Sequence, residues 1–319
     1  MIRKLLTIAS IALLSIIVMG ATAHAQEKRV TIGVSIPSAD HGWTAGIIYH
    51  TERVADQLRQ QYPGANIIIK TSPDPASQAN ALQDLAVQNL DALVILPTDP
   101  DPLVEAIREI KARGTFVALV DRAPSINDSS VRDLYVAGNN LALGQVAGEY
   151  IKRRTPNAKV AVIRGMPVPI DQERQNGFDR GIRGSNVSVL DRQYGNWSQD
   201  DAFRVMQDFL TKYPQIDVVW CQDDDMSVGV LEAIAQSGRT DIQYVIGGAG
   251  SKLMIKRVME GDSMIPVTVL YPAEMVATAL QITTGHFYNN ISVSGRYILN
   301  ATLVTRRNAK DFYFQDSPY

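Results

Sequence analysis

Short apolar runs and amphipathic stretches alternate along this chain from residue 30 onward. VTIGVSI (30–36), ALVIL (92–96), VAVI (160–163) and VVWC (218–221) are too short for core helices, and they read as strands covered on both faces. Further strands are predicted over 66–70, 115–122, 134–137, 187–190, 244–246, 267–270 and 297–304. Between them, apolar residues recur three and four apart, which predicts helices. The segment 44–60 carries Ile47, Ile48, Val54, Ala55 and Leu58 on one face. Others follow over 77–88, 103–113, 141–153 (with Asn139 placed to cap it), 171–181, 200–213, 226–236, 253–260 and 273–287. Alternating strands and helices imply parallel sheets, right-handed crossovers and helices on both faces. One sheet of so many strands would be large, so two doubly wound α/β lobes are expected. No Gly/Ser-rich linker divides them, which suggests several short crossings.

The run TFVALVDR (115–122) ends abruptly in an acid beside a base, Asp121-Arg122. The carboxyl end of a parallel strand is where open α/β sheets bind ligands. Carboxylate acceptors and a planar guanidinium fork suit a ligand with neighbouring hydroxyls. The alternative is a strand-end salt bridge. Other polar and aromatic residues also follow strands: His41 and Trp43 after 30–36, Arg174 after 160–163, Trp197 after 187–190 and Asp223 after 218–221. Sugars have apolar C–H faces and polar edges. Trp43 and Trp197 suit the faces, and Asp121, Arg122, Arg174 and Asp223 suit the edges. For the tryptophans the alternative is ordinary packing; for Arg174 it is a charge on a helix surface.

The beginning of the chain bears on compartment. Arg3 and Lys4 precede an apolar core over 5–19, and Ala23-His24-Ala25 fits a small-x-small cleavage pattern. This predicts a secretory signal peptide over 1–25, cut after Ala25, and an exported soluble protein. Loss of Arg3 and Lys4 makes an already slightly acidic chain more so, and no basic block suggests nucleic acid. The single cysteine, Cys221, sits in an apolar run and reads as a buried free thiol. Asp223-Asp224-Asp225 invites a metal reading, but these acids open a helix, where negative charge is favourable, so no metal is expected. His41, His50 and His286 are scattered. There is no GxSxG elbow, no Walker A loop and no GxGxxG after the first strand; Gly247-Gly248-Ala249-Gly250 reads as a tight strand-to-helix turn. No enzyme activity and no cofactor are expected.

TIGVSIPSADHGW, LVDRAP, QERQNGF and VVWCQDDDMSVGVLEAI, in that order, resemble the periplasmic sugar-binding proteins of ABC transporters, the ribose-binding-protein-like group. The resemblance covers nearly all of the exported chain. The same fold occurs in the effector-binding half of lactose-repressor-type regulators, which carry a DNA-binding segment where this chain has an export signal. The resemblance implies the type I periplasmic binding protein fold: two Rossmann-like lobes joined by three crossings, here 26–137 plus 271–297 and 138–270 plus 298–319. It implies that Asp121 and Arg122 bind ligand hydroxyls, that Arg174 in Arg-x-x-Gly-Phe is a second ligand arginine, and that Trp43 and Trp197 flank the ligand. The sequence departs from the family pattern at His41 and Asp223, where Asn is usual, at Ala249 in place of an Asp, and at Leu270-Tyr271, where a Gln is usual. The expected function is capture of a monosaccharide or related polyol in the periplasm by hinge closure, and delivery to an inner-membrane ABC permease by a monomer. The alternatives are an exported sugar sensor docking on a chemoreceptor or sensor kinase, and an exported glycosidase with paired carboxylates.

Overall fold

The computed structural model describes residues 28–39 and 41–319, so the predicted signal peptide and its cleavage site lie outside the described residues. In the first half, β1 (Val30–Pro37), α1 (Gly42–Gln61), β2 (Ala65–Ser72), α2 (Pro75–Ala86), β3 (Ala92–Ile95), α3 (Val104–Ala112), β4 (Phe116–Val120) and β5 (Leu134–Gly138) follow one another. The second half repeats the rhythm with α4 (Asn140–Arg154), β6 (Lys159–Arg164), α5 (Pro169–Ile182), β7 (Ser188–Tyr194), α6 (Gln199–Lys212), β8 (Val218–Cys221) and α7 (Asp224–Ser237). The chain closes with β9 (Tyr244–Ala249), α8 (Lys252–Glu260), β10 (Thr268–Leu270), α9 (Met275–Tyr288), β11 (Gly295–Leu299) and β12 (Thr302–Val304).

The strands form two six-stranded sheets, ordered β11-β5-β4-β3-β1-β2 and β12-β10-β9-β8-β6-β7. Every pairing is parallel except β10 with β12. The two α/β lobes anticipated from the alternation are therefore present. Central strands are apolar throughout because helices cover both faces; β3 and β8 are buried at every residue. Each sheet reverses its strand order beside its first strand, between β1 and β3 and between β6 and β8. That geometry opens a crevice at the carboxyl ends.

The helices begin where polar side chains satisfy free N–H groups. His41 caps α1, Asp74 caps α2, Asn139 caps α4 and Asp223 caps α7. One core cluster packs Ile47, Val54 and Leu280 against the first sheet and continues to Phe178 and Trp220 beneath the second. It passes through Trp43, Tyr271 and Ala273 at the junction of the lobes. Phe178 and Trp220 stack with centroids 4.3 Å apart. Cys221 is a buried free thiol, as the sequence suggests, and burial raises its pKa.

The chain passes between the sheets after β5, after β10, and between β11 and β12. The last passage corrects the single strand predicted over 297–304. Residues 295–299 pair with β5 in the first sheet, and residues 302–304 pair with β10 in the second. One apolar run is thus shared between two sheets, and it breaks at Asn300-Ala301, where the chain changes lobe. The GGAG turn also starts later than expected. Gly247, Gly248 and Ala249 complete β9, and only Ala249 and Gly250 take the left-handed conformation, at φ 77° and 82°.

Candidate functional site

A cavity enclosing about 410 Å³ of space, its open mouth included, lies between the lobes. His41, Trp43, Asp121, Arg122, Arg174, Trp197 and Asp223, the residues singled out in the sequence, all line it, together with Ile170, Ala249 and Tyr271.

From the first lobe, His41 sits before α1. Its backbone N–H donates to the Thr44 hydroxyl at 3.2 Å, and its Nδ1 accepts from the Thr44 N–H at 3.4 Å. This reciprocal cap fixes the imidazole, which stacks on Trp43 at 6.4 Å between centroids. Trp43 is largely buried, and its Nε1 donates to the Tyr271 carbonyl at 3.2 Å. Asp121 follows β4 in the left-handed region, φ 58°, which Asp tolerates better than most residues. The Tyr135 hydroxyl donates to its backbone carbonyl at 2.6 Å.

Asp121 and Arg122 make no ion pair with each other among the described residues, which removes the strand-end salt bridge. The Tyr271 hydroxyl instead donates to Asp121 Oδ1. Arg122 Nη1 donates to the carbonyls of Pro97 and Thr98, at 3.2 and 2.8 Å. One end of the guanidinium is therefore anchored on backbone just beyond β3, which leaves its other nitrogens for the cavity.

From the second lobe, Arg174 on α5 is 5% exposed, so it is no surface charge. Its Nε donates to Asn140 Oδ1 and its Nη1 to the Gln222 carbonyl, both at 2.9 Å. Its guanidinium carbon lies 4.7 Å over the Tyr271 ring. Trp197 follows β7 at φ 54°, an unusual conformation for a bulky residue. Its ring occupies space that exists only because residue 165 is glycine: a Cβ there would stand 2.0 Å from Trp197 Nε1. That Nε1 is buried and has no hydrogen-bond partner among the described residues.

The three consecutive acids have separate tasks. Asp223 caps α7 by accepting from the Met226 N–H at 2.9 Å. Asp224 accepts from the Gly250 and Ser251 N–H groups and the Thr268 hydroxyl, at 3.0, 2.6 and 2.9 Å. Asp225 accepts from the Gly42 N–H of the other lobe at 3.2 Å. Burial, then the neighbouring Asp225, pushes the Asp223 carboxyl well above the usual carboxylate range. Among the described residues, no group of three or more His, Cys, Asp or Glu side chains is placed to hold a metal ion.

Tyr271 is the central residue that the sequence reading did not select. It lies on the second passage between lobes, and burial drives its phenol pKa well upward. Its hydroxyl also accepts from Asn140 Nδ2 at 3.1 Å, and its ring lies 5.9 Å from that of Trp43. Its position after a strand marked it only as a departure from a pattern. Ile170 and Ala249 add apolar wall. Asp121, Trp197 and Ala249 all line the cavity with positive φ, and such backbone strain gathers where a site is held in place by its surroundings.

Two α/β lobes with a polar and aromatic crevice between their carboxyl edges define a two-lobed solute-binding protein. A family model described as a periplasmic binding protein domain matches residues 32–285, and the chain belongs to that family. It is 27% identical over 308 residues to the ribose import binding protein RbsB of Salmonella typhimurium, covering 96% of this chain and 99% of that one. It is 27% identical over 296 residues to the D-apiose import binding protein of Paraburkholderia graminis, covering 91% of each. The structure of a periplasmic ribose ABC transporter protein from Conexibacter woesei superposes with a TM-score of 0.78 at 18% identity, covering 89% of this chain and 95% of that one. Membership of this family makes the protein a binding protein and not an enzyme.

Proposed function

We propose that this protein captures a monosaccharide or related polyol between its lobes and delivers it to an ABC permease in the inner membrane. Export after cleavage at Ala25 would place it in the periplasm, where it acts as a monomer. The observation that carries the reading is the composition of the cavity. Asp121, Arg122 and Trp43 come from one lobe, and Arg174, Trp197 and Asp223 from the other. A buried hydroxyl without a partner costs about 1–3 kcal/mol, so a polyhydroxylated ligand needs a wall dense in fixed donors and acceptors. The anchored guanidinium of Arg122 meets that need, while the indole rings suit C–H faces. Only the closed arrangement uses both sets, so binding favours closure through the three passages between lobes. The names of the relatives, import proteins for ribose and D-apiose, support the same ligand class.

A thermal-shift screen against pentoses, hexoses and sugar alcohols, followed by calorimetry, tests the proposal. At least one member should raise the melting temperature. Arg122→Ala should weaken binding of that ligand by about 10- to 100-fold, the range expected for hydrogen bonds to a charged group, while the fold stays intact. Undiminished affinity in Arg122→Ala would overturn the assignment of the site.

A further inference from the structure

Tyr271 lines the cavity and its hydroxyl lies between two polar side chains. Asp121 lines the cavity and Asn140 stands at the start of α4, one a carboxylate acceptor and the other an amide donor. The phenol satisfies both: it donates to Asp121 Oδ1 and accepts from Asn140 Nδ2 at 3.1 Å. Its ring also lies under the Arg174 guanidinium, 4.7 Å from ring centroid to guanidinium carbon. Asp121 and Arg174 of the cavity wall, and Asn140 with them, are thereby committed to a side chain of the protein itself.

The arrangement is built into the backbone. At Gly138, where β5 ends and the first passage begins, an added Cβ would meet Tyr271 Cε2 at 2.1 Å and Cζ at 2.6 Å. The ring fits because that position has no side chain, and the Trp43 Nε1 bond to the Tyr271 carbonyl fixes the same residue from the other side. The wall nearby is completed by Ile170 and Ala249, neither of which offers a side-chain partner to a further hydroxyl.

From this geometry we infer that the Tyr271 hydroxyl substitutes for one ligand hydroxyl, so that the site selects a polyol or sugar one hydroxylated carbon shorter than a pentose. The inference rests on the proposed reading of the cavity as a sugar or polyol site, and it deepens that reading by naming a size class. Asp121 Oδ2, the free nitrogens of Arg122 and Arg174, and Asp223 remain to hold such a ligand. A pentose or hexose would have to displace the phenol or bury a hydroxyl against it.

Calorimetry with erythritol, erythrose, ribose and allose on the wild type, Tyr271→Ala and Tyr271→Asn tests this. Expected is wild-type binding to a four-carbon compound at least ten-fold tighter than to ribose or allose. In either variant the ratio should move at least ten-fold towards the larger sugars, because their extra hydroxyl takes the vacated place between Asp121 and Asn140. Tightest wild-type binding to ribose or allose would overturn the inference, and that comparison needs no variant to fold. So would variants that lose affinity for every compound in proportion, since Tyr271 would then serve only to hold the lobes together. If none of these compounds, and no pentose, hexose or sugar alcohol of the wider screen, binds the wild type, the reading of the site falls and the inference with it.

Discussion

The Gly42 N–H donates to Asp225 Oδ2 at 3.2 Å, and this bond joins the two lobes. Gly42 opens α1 beside His41, and Asp225 lies in the first turn of α7 beside Asp223, so the bond spans the cleft next to the cavity. On the proposed reading, in which the lobes open about a hinge, an opening would break it. Asp225→Ala should therefore weaken ligand binding without harming either core. A bond to a charged acceptor is worth about 1.5–3 kcal/mol when buried, and partial exposure reduces that here, so roughly a ten-fold loss of affinity is expected. Calorimetry checks the loss, and small-angle scattering of the unliganded protein should show a larger radius of gyration. Equal affinity and an unchanged radius would remove this bond from the closing mechanism.

The alternation of strands and helices was legible because parallel strands buried on both faces have little choice but to be apolar. The clustering of the candidate site residues around one cavity was legible in part for the same reason. Polar residues at 41, 121, 174 and 223 interrupt that pattern close to strand ends, and doubly wound sheets gather such ends along one crevice. Tyr271 was not legible. Its partner Asp121 is 150 positions away, and only two separate passages between lobes bring them together. Nor was the anchor of Arg122, because its partners are backbone carbonyls that carry no sequence signature. The split of 297–304 was hidden because both halves are apolar, each for a different sheet.

Asp224 predicts a pH dependence of stability. Burial pushes its carboxyl up to about 7, although the Ser251 N–H, the Thr268 hydroxyl and the Gly250 N–H all favour the charged form. The usual value is 3.8, so between about 4 and 7 the folded protein holds a proton that the unfolded chain has lost. Stability from this group is full below that window and falls as pH rises through it. His50 acts in the opposite sense: burial, then Arg53, lowers its pKa from 6.5 to about 4, which favours the fold as pH rises through that range. Comparing wild type with Asp224→Asn cancels the His50 contribution. The difference in melting temperature, variant minus wild type, should grow from pH 4.5 to pH 8, as thermal denaturation would show. A constant difference would mean that Asp224 does not bind a proton on folding.

Gly165→Ala should damage the site through Trp197. The new methyl would stand 2.0 Å from Nε1 and 2.2 Å from Cε2, too close for the ring to stay. Trp197 is only partly buried and its Nε1 has no partner among the described residues, so moving it costs the fold little. Ligand affinity should drop by about ten-fold, consistent with losing an aromatic contact, while the melting temperature of the free protein moves by only a few degrees. Quenching of tryptophan fluorescence by a soluble quencher should rise in the variant. Wild-type affinity would mean that Trp197 does not contact the ligand.

Tyr319 ends a segment that ties the lobes from outside the cavity. Lys252, on α8 of the second lobe, donates to the carbonyls of Gln315 and Ser317. Phe314 packs edge-on to His50 at 4.8 Å and lies 5.6 Å from the Arg53 guanidinium carbon, both on α1 of the first lobe. The Tyr319 ring covers Gly42 and Gly46 on the same helix. Tyr319→Ala strips this apolar contact and should lower stability by about 1.5–3 kcal/mol, the usual value of a buried large side chain. If the lobes close on ligand as proposed, and the contact is part of the closed form, ligand affinity should fall as well. Tyr319→Phe separates the ring from its hydroxyl, which is buried with no partner among the described residues. Removing an unsatisfied polar group gains up to roughly 1–3 kcal/mol, so Phe should match or exceed the wild type. Urea denaturation of the two variants decides the matter. If Phe is as destabilising as Ala, the hydroxyl has a partner, such as an ordered water, that outweighs the ring.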